Sequence, residues 1–406
     1  MRRVAANKIK MRSIFSDVKS EFFAREESLG TNFKHDKPEL EIMLGRESGN
    51  GIAFFRYRVI LPYLIEINAS GDAVSVKNLM KSIFDPFIEI KEDGTSYGFT
   101  IDGQMYSTEN ETTLNIFQAL VKSTSILTNI EFDYVFLKRI GKGSTSSVYL
   151  AQNILTKAEF AVKCVKKENL VSFSAIESLF REIRILRKIR HPSICKLFYV
   201  YENDDEVFLV LEFVSECSLL KLLVKNKKFS ELQTQKLIKN LLQVLDYLNQ
   251  KEIVHRDIKL ENIMISNKET LDIKLIDFGI AYYYGESQLK KCGSPGYMAP
   301  EILRNEAYDC KIDIFSTGVV MYVLLHGCLP FESKNMKDTL NKNLNCEQVY
   351  DSRLSNNLLC ILDEMLSPSQ ELRPSAYELL SDPWFNNKHQ LRVSSTTNIS
   401  SIDFTP

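Results

Sequence analysis

Two unequal parts of α+β character are predicted, a small β-rich part near the N-terminus and a larger catalytic part behind it. Three observations carry this. Residues 38–128 hold short aromatic and β-branched runs divided by Gly-, Asn- and Asp-bearing turns. Residues 140–148 are a stretch of small residues between two strand-like runs, suited to closing backbone N–H groups over phosphate. His255-Arg256-Asp257-Ile258-Lys259-Leu260-Glu261-Asn262 is followed, fifteen residues after Asn262, by Asp277-Phe278-Gly279. That arrangement sets a base, a lysine and two hard oxygen ligands for magnesium on neighbouring loops, which is the chemistry of a phosphoryl transferase.

Composition narrows the classes. The 406 residues allow about two domains. With 51 Lys/Arg against 52 Asp/Glu the net charge is −1, so no global basic footprint points to nucleic acid. At 44% hydrophobic the chain can bury sizeable cores. The eight cysteines lie far apart with no CxxC or CxxxC pair, which argues for free thiols over zinc or redox sites. The basic start has no apolar run behind it, so a signal peptide is not expected. The apolar stretch Gly318 to Leu325 is too short to span a bilayer. A cytoplasmic protein is expected, with any membrane contact peripheral.

Along the chain, residues 1–37 carry nine Lys/Arg against five Asp/Glu and read as a solvated arm, or a short helix around Ile14 to Leu29. Residues 38–128 then form the small part. Glu39 to Leu44 alternates weakly, and Gly45 to Gly51 holds three glycines. Strands are expected over Ile52 to Ile60, Tyr63 to Ile67, Phe87 to Ile90, Tyr97 to Ile101 and Gln104 to Tyr106. Asp93-Gly94 and Asp102-Gly103 are hairpin signals. The part closes on a helix over Thr112 to Leu127, with Leu114, Phe117, Leu120 and Val121 at helical spacing and Thr108 to Glu111 available as caps. Residues 129–133 are a short joint, 134–385 the catalytic domain, and 386–406 a Ser/Thr/Asn-rich flexible tail.

Lys163, in Phe160-Ala161-Val162-Lys163, sits among apolar strand residues and needs an anionic partner if buried. The helix from Ala175 to Ile189 offers Glu182, with Glu177 as competitor.

The eight-residue string and the Asp-Phe-Gly tripeptide resemble the catalytic loop and metal-binding motif of eukaryotic protein kinases, and Lys259 resembles the serine/threonine-specific branch. The order of motifs extends the resemblance over 134–385. The late pattern, Asp313 to Gly318 through Leu329-Pro330-Phe331 to Asp382-Pro383-Trp384-Phe385, resembles the calmodulin-dependent group, with AGC-like features. The resemblance implies a bilobal kinase fold using ATP and Mg2+. Asp257, Lys259, Lys163 and Glu182 would be catalytic, and Asn262 and Asp277 would hold the metal. Ile140, Gly141, Lys142, Gly143, Ser144, Thr145, Ser146 and Val148 would cover the nucleotide. Ala161, Lys163, Glu212, Val214 and Met264 would also contact it, with Leu211 as gatekeeper. Ser146 replaces the family's third glycine. Glu301, in Ala299-Pro300-Glu301, would pair with Arg373, and Asp313 would hold the catalytic loop's backbone. The rival is a pseudokinase or scaffold that binds nucleotide without transfer. It is disfavoured because Lys163, Glu182, Asp257, Asn262 and Asp277 are all present.

Arg256 belongs to the kinases whose activation segment commonly carries a neutralising phosphate, yet Lys290 stands at the usual phosphothreonine position. Glu286 as a fixed anion, Ser287 as a displaced phosphosite, or Tyr282 to Tyr284 are the substitutes, and Ser294 belongs to the substrate platform. Glu261 matches a position that contacts arginine in basic substrates. Ser218 falls where a second glutamate is expected, with Glu216 close by. The strands and closing helix of 38–128 resemble the pleckstrin-homology fold, with Phe117 where that family usually has tryptophan. Arg46, Arg56 and Arg58 would then clasp a phosphoinositide, against the alternatives of protein docking, packing on its own kinase, or a merely wet strand face.

Overall fold

The structure, a computed structural model, describes residues 13–14, 38–48, 51–70, 72–91, 94–143, 145–284, 292–333, 335–346 and 348–386. The expected helix in the arm, Ser144, Glu286, Ser287, Lys290 and the tail beyond 386 lie outside the described residues. The chain divides into two compact units. Unit one takes the described parts of Met1–Lys188 with Lys196–Phe213, and unit two those of Ile189–Cys195 with Val214–Pro406.

Unit one is built on a 13-stranded sheet. Its first seven strands are β1 (Leu40–Ser48), β2 (Gly51–Ile60), β3 (Tyr63–Ile67), β4 (Ala73–Asn78), β5 (Ile83–Lys91), β6 (Gly94–Ile101) and β7 (Gln104–Thr108). They are followed by α1 (Glu111–Val121) and β8 (Ile126–Leu127). The later strands are β9 (Tyr134–Lys142), β10 (Ser146–Asn153), β11 (Glu159–Lys166), β12 (Leu197–Glu202) and β13 (Glu206–Glu212), with α2 (Phe173–Lys188) between β11 and β12. The spatial order is β4-β3-β2-β1-β7-β6-β5-β8-β12-β13-β11-β10-β9.

Local chemistry explains the turns and the cap. Asp102 and Gly103 both have positive φ, 50° and 77°, which suits the tight hairpin joining Ile101 to Gln104. Asn110 caps α1 by accepting from the Thr113 N–H. Gly98 leaves room for the β6–β7 contact, since a Cβ there would lie 2.3 Å from the Tyr106 carbonyl oxygen. Phe117 is fully buried and stacks on Phe99, ring centroids 4.4 Å apart, with Phe84 at 5.9 Å. Burying such a ring is worth about 1.5–3 kcal/mol.

The helix expected through Leu127 stops at Val121. Ser123-Thr124-Ser125 follows, a run whose side chains compete for backbone hydrogen bonds. Ile126 and Leu127 then become β8, which pairs in parallel with β5 on one side and β12 on the other. A two-residue strand thus joins the two halves of the sheet. Leu127, Ile130 and Tyr134 lie in one apolar cluster with Leu44, Phe99 and Phe117 on one side and Val162, Tyr201 and Phe208 on the other. The expected joint 129–133 is therefore partly core. The arm is also tied down where it is described. The buried Glu202 accepts from Ser13 Oγ at 2.7 Å and from the Ile14 N–H at 3.0 Å, with Lys167 Nζ at 2.8 Å.

Unit two is mainly helical. α3 (Leu219–Asn226) and α4 (Glu231–Gln250) lead to β14 (Ile253–Val254), β15 (Ile263–Asn267), β16 (Asp272–Leu275) and β17 (Tyr282–Tyr283), which pair as β14–β17 and β15–β16. Ser230 and Gln233 form a capping box at the start of α4. α5 (Pro300–Arg304) and α6 (Lys311–His326) follow. α6 is buried on nearly every side, as its uniformly apolar sequence requires. Four further helices are described between Met336 and Asn386. Among the described residues no helix is long and apolar enough to cross a membrane.

A buried ion pair ties α5 to the later helices. Arg373 donates Nη1 to Glu301 Oε1 at 2.6 Å and Nη2 to Glu301 Oε2 at 2.5 Å, with side-chain exposures of 0% and 4%. Its remaining N–H groups meet the carbonyls of Ser367 and Lys311. Glu301→Ala leaves that guanidinium buried and unpaired, and the expected destabilisation is about 3–5 kcal/mol. Urea denaturation followed by circular dichroism checks this; an unchanged midpoint would show that the pair contributes nothing.

Candidate active site

The two small two-stranded sheets of unit two set the catalytic loop. Ile253, Val254, Ile263, Ile265, Ile273 and Leu275 are buried, which anchors β14, β15 and β16 and leaves residues 255–262 as the connection between β14 and β15. Asp277 lies just past the end of β16. Asp313, in the first turn of α6, accepts from the His255 N–H at 2.8 Å and the Arg256 N–H at 2.9 Å. Burial pushes the Asp313 carboxyl upward, while those two donors and the neighbouring His255 and Arg256 pull it back down. Arg256 and Asp277 have positive φ, 68° and 61°. Each non-glycine residue held there stores about 1–3 kcal/mol of strain.

Three side chains converge on Asp257. Its Oδ1 accepts from Ser294 Oγ at 2.8 Å, and its Oδ2 accepts from Asn262 Nδ2 at 2.9 Å and lies 2.7 Å from Lys259 Nζ. Lys259 Nζ also donates to Ser294 Oγ at 2.8 Å. Asn262 Nδ2 makes a second bond to the Asp257 carbonyl at 2.9 Å. Both acceptors are oxygens, so the amide nitrogen must face them and the amide oxygen is left for a cation. With the exposed Asp277 carboxylate this is a hard, all-oxygen donor set, which fits Mg2+. The bridge that Ser294 makes between Lys259 and Asp257 has no signature in the sequence.

In unit one, β10 and β13 flank β11 and place Lys163 opposite Val148 and Leu209. Lys163 Nζ lies 2.6 Å from Glu182 Oε1, with side-chain exposures of 14% and 5%. Glu182, and not the competing Glu177, is the carboxylate found there. The glycine-bearing turn closes through the Gly143 N–H on the Ser146 carbonyl at 2.8 Å, and Thr145 O accepts from Asn169 Nδ2. Ile140 is exposed, Val148 and Ala161 are half-buried, and Glu212 ends β13 with its N–H on the Lys196 carbonyl. In unit two, Val214 is buried and Met264 is half-buried on β15.

Among the described residues Arg256 meets no anion. Nε donates to the Ile280 carbonyl at 2.6 Å, Nη1 to Tyr308 Oη at 3.1 Å, and the guanidinium sits 4.4 Å from the Tyr282 ring centroid. Tyr308 is a partner that sequence spacing could not suggest, 52 residues away. Ser218 caps α3 by accepting from the Lys221 N–H, and Glu216 pairs with Lys268.

The phosphoinositide clasp is not supported. Arg46 is 2.9 Å from the buried Glu66, which also accepts from Tyr57 and Ser75, and Arg58 is 2.7 Å from Glu41. Of the three, Arg56 is exposed and has no such carboxylate among the described residues. Arginines facing their own carboxylates across a sheet are the ordinary cross-strand pairing of a folded surface.

Comparison with known proteins agrees with this geometry. The family model for the protein kinase domain matches residues 134–385. A probable serine/threonine-protein kinase 2 of Plasmodium falciparum is 36% identical over 258 residues, 62% of this chain and 50% of its own length. An SNF1-related protein kinase catalytic subunit alpha of Arabidopsis thaliana is 31% identical over 275 residues, 67% and 55%. A calcium-dependent protein kinase of Plasmodium berghei is 36% identical over 276 residues, 66% and 48%. The chain thus spans about half the length of the curated relatives it matches. With the family match covering more than half of its residues, the chain belongs to the protein kinase family.

Proposed function

We propose that this chain is a serine/threonine protein kinase that transfers the γ-phosphoryl group of ATP to hydroxyls of protein substrates. The observation that carries the reading is the cluster on Asp257, a carboxylate held by Lys259, Ser294 and Asn262 whose side chain stays 13% exposed. Asp257 orients that hydroxyl and takes its proton. Lys259 offsets charge on the moving phosphoryl group. Lys163, steadied by Glu182, meets the α- and β-phosphates. Asn262 and Asp277 would hold Mg2+, which when bound neutralises phosphate charge. Within unit one, the turn from Gly141 to Ser146 offers backbone donors to phosphate, and Ile140, Val148 and Ala161 offer apolar surface to adenine. Glu212, Val214 and Met264 carry over as further nucleotide contacts by resemblance. The exposed Glu261 favours substrates with a basic residue near the target.

For the small part, the meander in the order β4-β3-β2-β1-β7-β6-β5 and the closing helix α1 support a pleckstrin-homology-like reading. Its sheet runs on into the kinase strands, which favours a role toward its own kinase over lipid capture. We further propose that the activation segment works without a phosphate at the usual place, because Arg256 is satisfied by Ile280, Tyr308 and Tyr282.

Three outcomes follow for purified full-length protein. Asp257→Asn removes the base and is expected to lower kcat by roughly 10²–10⁴ while ATP still binds; near-normal turnover with a Ser-containing peptide would sink the assignment. Ser294→Ala removes a hydroxyl bonded to two charged groups and is expected to cost roughly 10–100-fold in kcat. Ser294→Thr keeps that hydroxyl and restores most of the rate, so equal loss in both variants rejects the bridge. Exhaustive phosphatase treatment, checked by mass spectrometry, should leave kcat unchanged; loss of activity on dephosphorylation of a residue in 285–291 rejects phosphate independence.

A further inference from the structure

We infer that Arg187 is a positioning residue through which the segments leading into β5 and β8 hold α2 with Glu182 on Lys163. The inference rests on the kinase reading above and names what sets its central ion pair.

Arg187 lies in the last turn of α2, five residues after Glu182. Its Nη2 donates to the Ser125 carbonyl at 2.8 Å and its Nη1 to the Met80 carbonyl at 3.3 Å. Both acceptors lie outside the stretch matched as protein kinase domain. Met80 belongs to the single 3-10 turn Leu79–Lys81 that leads into β5, and Ser125 immediately precedes β8. Both residues are buried, Ser125 wholly. The fork of the guanidinium thus spans the two segments on either side of the β5–β8 junction, where the N-terminal strands meet the kinase strands.

The electrostatics make this contact directional. Arg187 Nε is covered and has no hydrogen-bond partner, and no carboxylate pairs with the guanidinium among the described residues. Burial pulls the group below the ordinary arginine value, although a guanidinium in a protein stays charged. A cation withdrawn from water without an acid depends on the carbonyls that face it. Movement of α2 away from the sheet loses both carbonyl contacts at once and strips a donor from each buried oxygen. A cation in a last helical turn ordinarily serves its own helix carbonyls. Arg187 instead reaches residues 62 and 107 positions away in the chain. Leu179, Phe180, Ile183 and Leu186 bury the same helix, so the helix has an apolar seat. Packing alone tolerates sliding along the axis, and the two-pronged polar contact at one end fixes the axial position on which Glu182 depends.

The test is a double-mutant cycle on the full chain, with Arg187→Met, Glu182→Gln and both together. It measures kcat and KM for ATP with a basic Ser-containing peptide, and hydrogen exchange of the α2 amides. Arg187→Met is expected to lower kcat roughly tenfold or more. In the Glu182→Gln background it should cause little further fall, because both changes disable the same pair. Exchange across α2 should quicken in Arg187→Met. Arg187→Lys keeps the charge but cannot span both carbonyls, and should fall between; if Arg187→Met fails to fold, the lysine variant carries the same cycle. Unchanged kcat in a folded variant, or losses that simply multiply in the double variant, overturns the inference. If the wild-type chain transfers no phosphate, the kinase reading fails separately. The exchange arm then decides: quickened exchange around Glu182 supports the clamp, and unchanged exchange rejects it.

Discussion

An ammonium and a carboxylate 2.6 Å apart, Lys163 and Glu182, set what the rest of unit one has to achieve. The pair is mostly withdrawn from water, so each charge is costly without the other. The lysine is on a central strand and the glutamate on a helix, and only the relative placement of β11 and α2 brings them together. The β10–β11–β13 ladder holds the first, and the apolar seat of α2 with the Arg187 contact holds the second. The sheet that carries Lys163 continues through β8 into seven strands that the kinase family match does not include. In this chain the N-terminal strands therefore share a core with Val162 and Cys164, the neighbours of Lys163, instead of hanging from the strand by a linker.

Unit two meets a different constraint. Its proposed base, Asp257, sits between two residues whose backbone is strained, Arg256 and Asp277. That strain persists because the surroundings over-determine it. Asp313 draws in two consecutive N–H groups, Arg256 donates its own side chain to Ile280 and Tyr308, and His255 Nε2 lies 3.2 Å from the Ile276 carbonyl. Asp257 is thereby presented with its oxygens oriented by Lys259, Asn262 and Ser294. Such orientation before substrate arrives is where phosphoryl transferases obtain most of their rate, since the protein has little covalent chemistry to perform.

The sequence by itself determined much of this protein. Motif order located the kinase region and its reactive residues, because a base, two metal-facing oxygens and a lysine are needed in one chain order on loops between short apolar strands. Hairpin chemistry located Asp102-Gly103, because only certain residues accept two positive φ values in a row. The choice of Glu182 over Glu177 came from the family resemblance, and Glu182 is the carboxylate on Lys163. Tertiary structure alone decided the rest. The end of α1 at Val121 follows from β8 finding partners in both β5 and β12, which periodicity over residues 112–127 could not foresee. The fates of Arg46 and Arg58 were settled by Glu66, one strand beyond its neighbour, and by Glu41 on the adjacent strand, because a strand pattern shows which side chains share a face but not what stands opposite. Arg187 looks in the sequence like one more cation at a helix end. Its role depends on two main-chain carbonyls, and a carbonyl is present at every residue, so no side-chain pattern could mark which two it would meet.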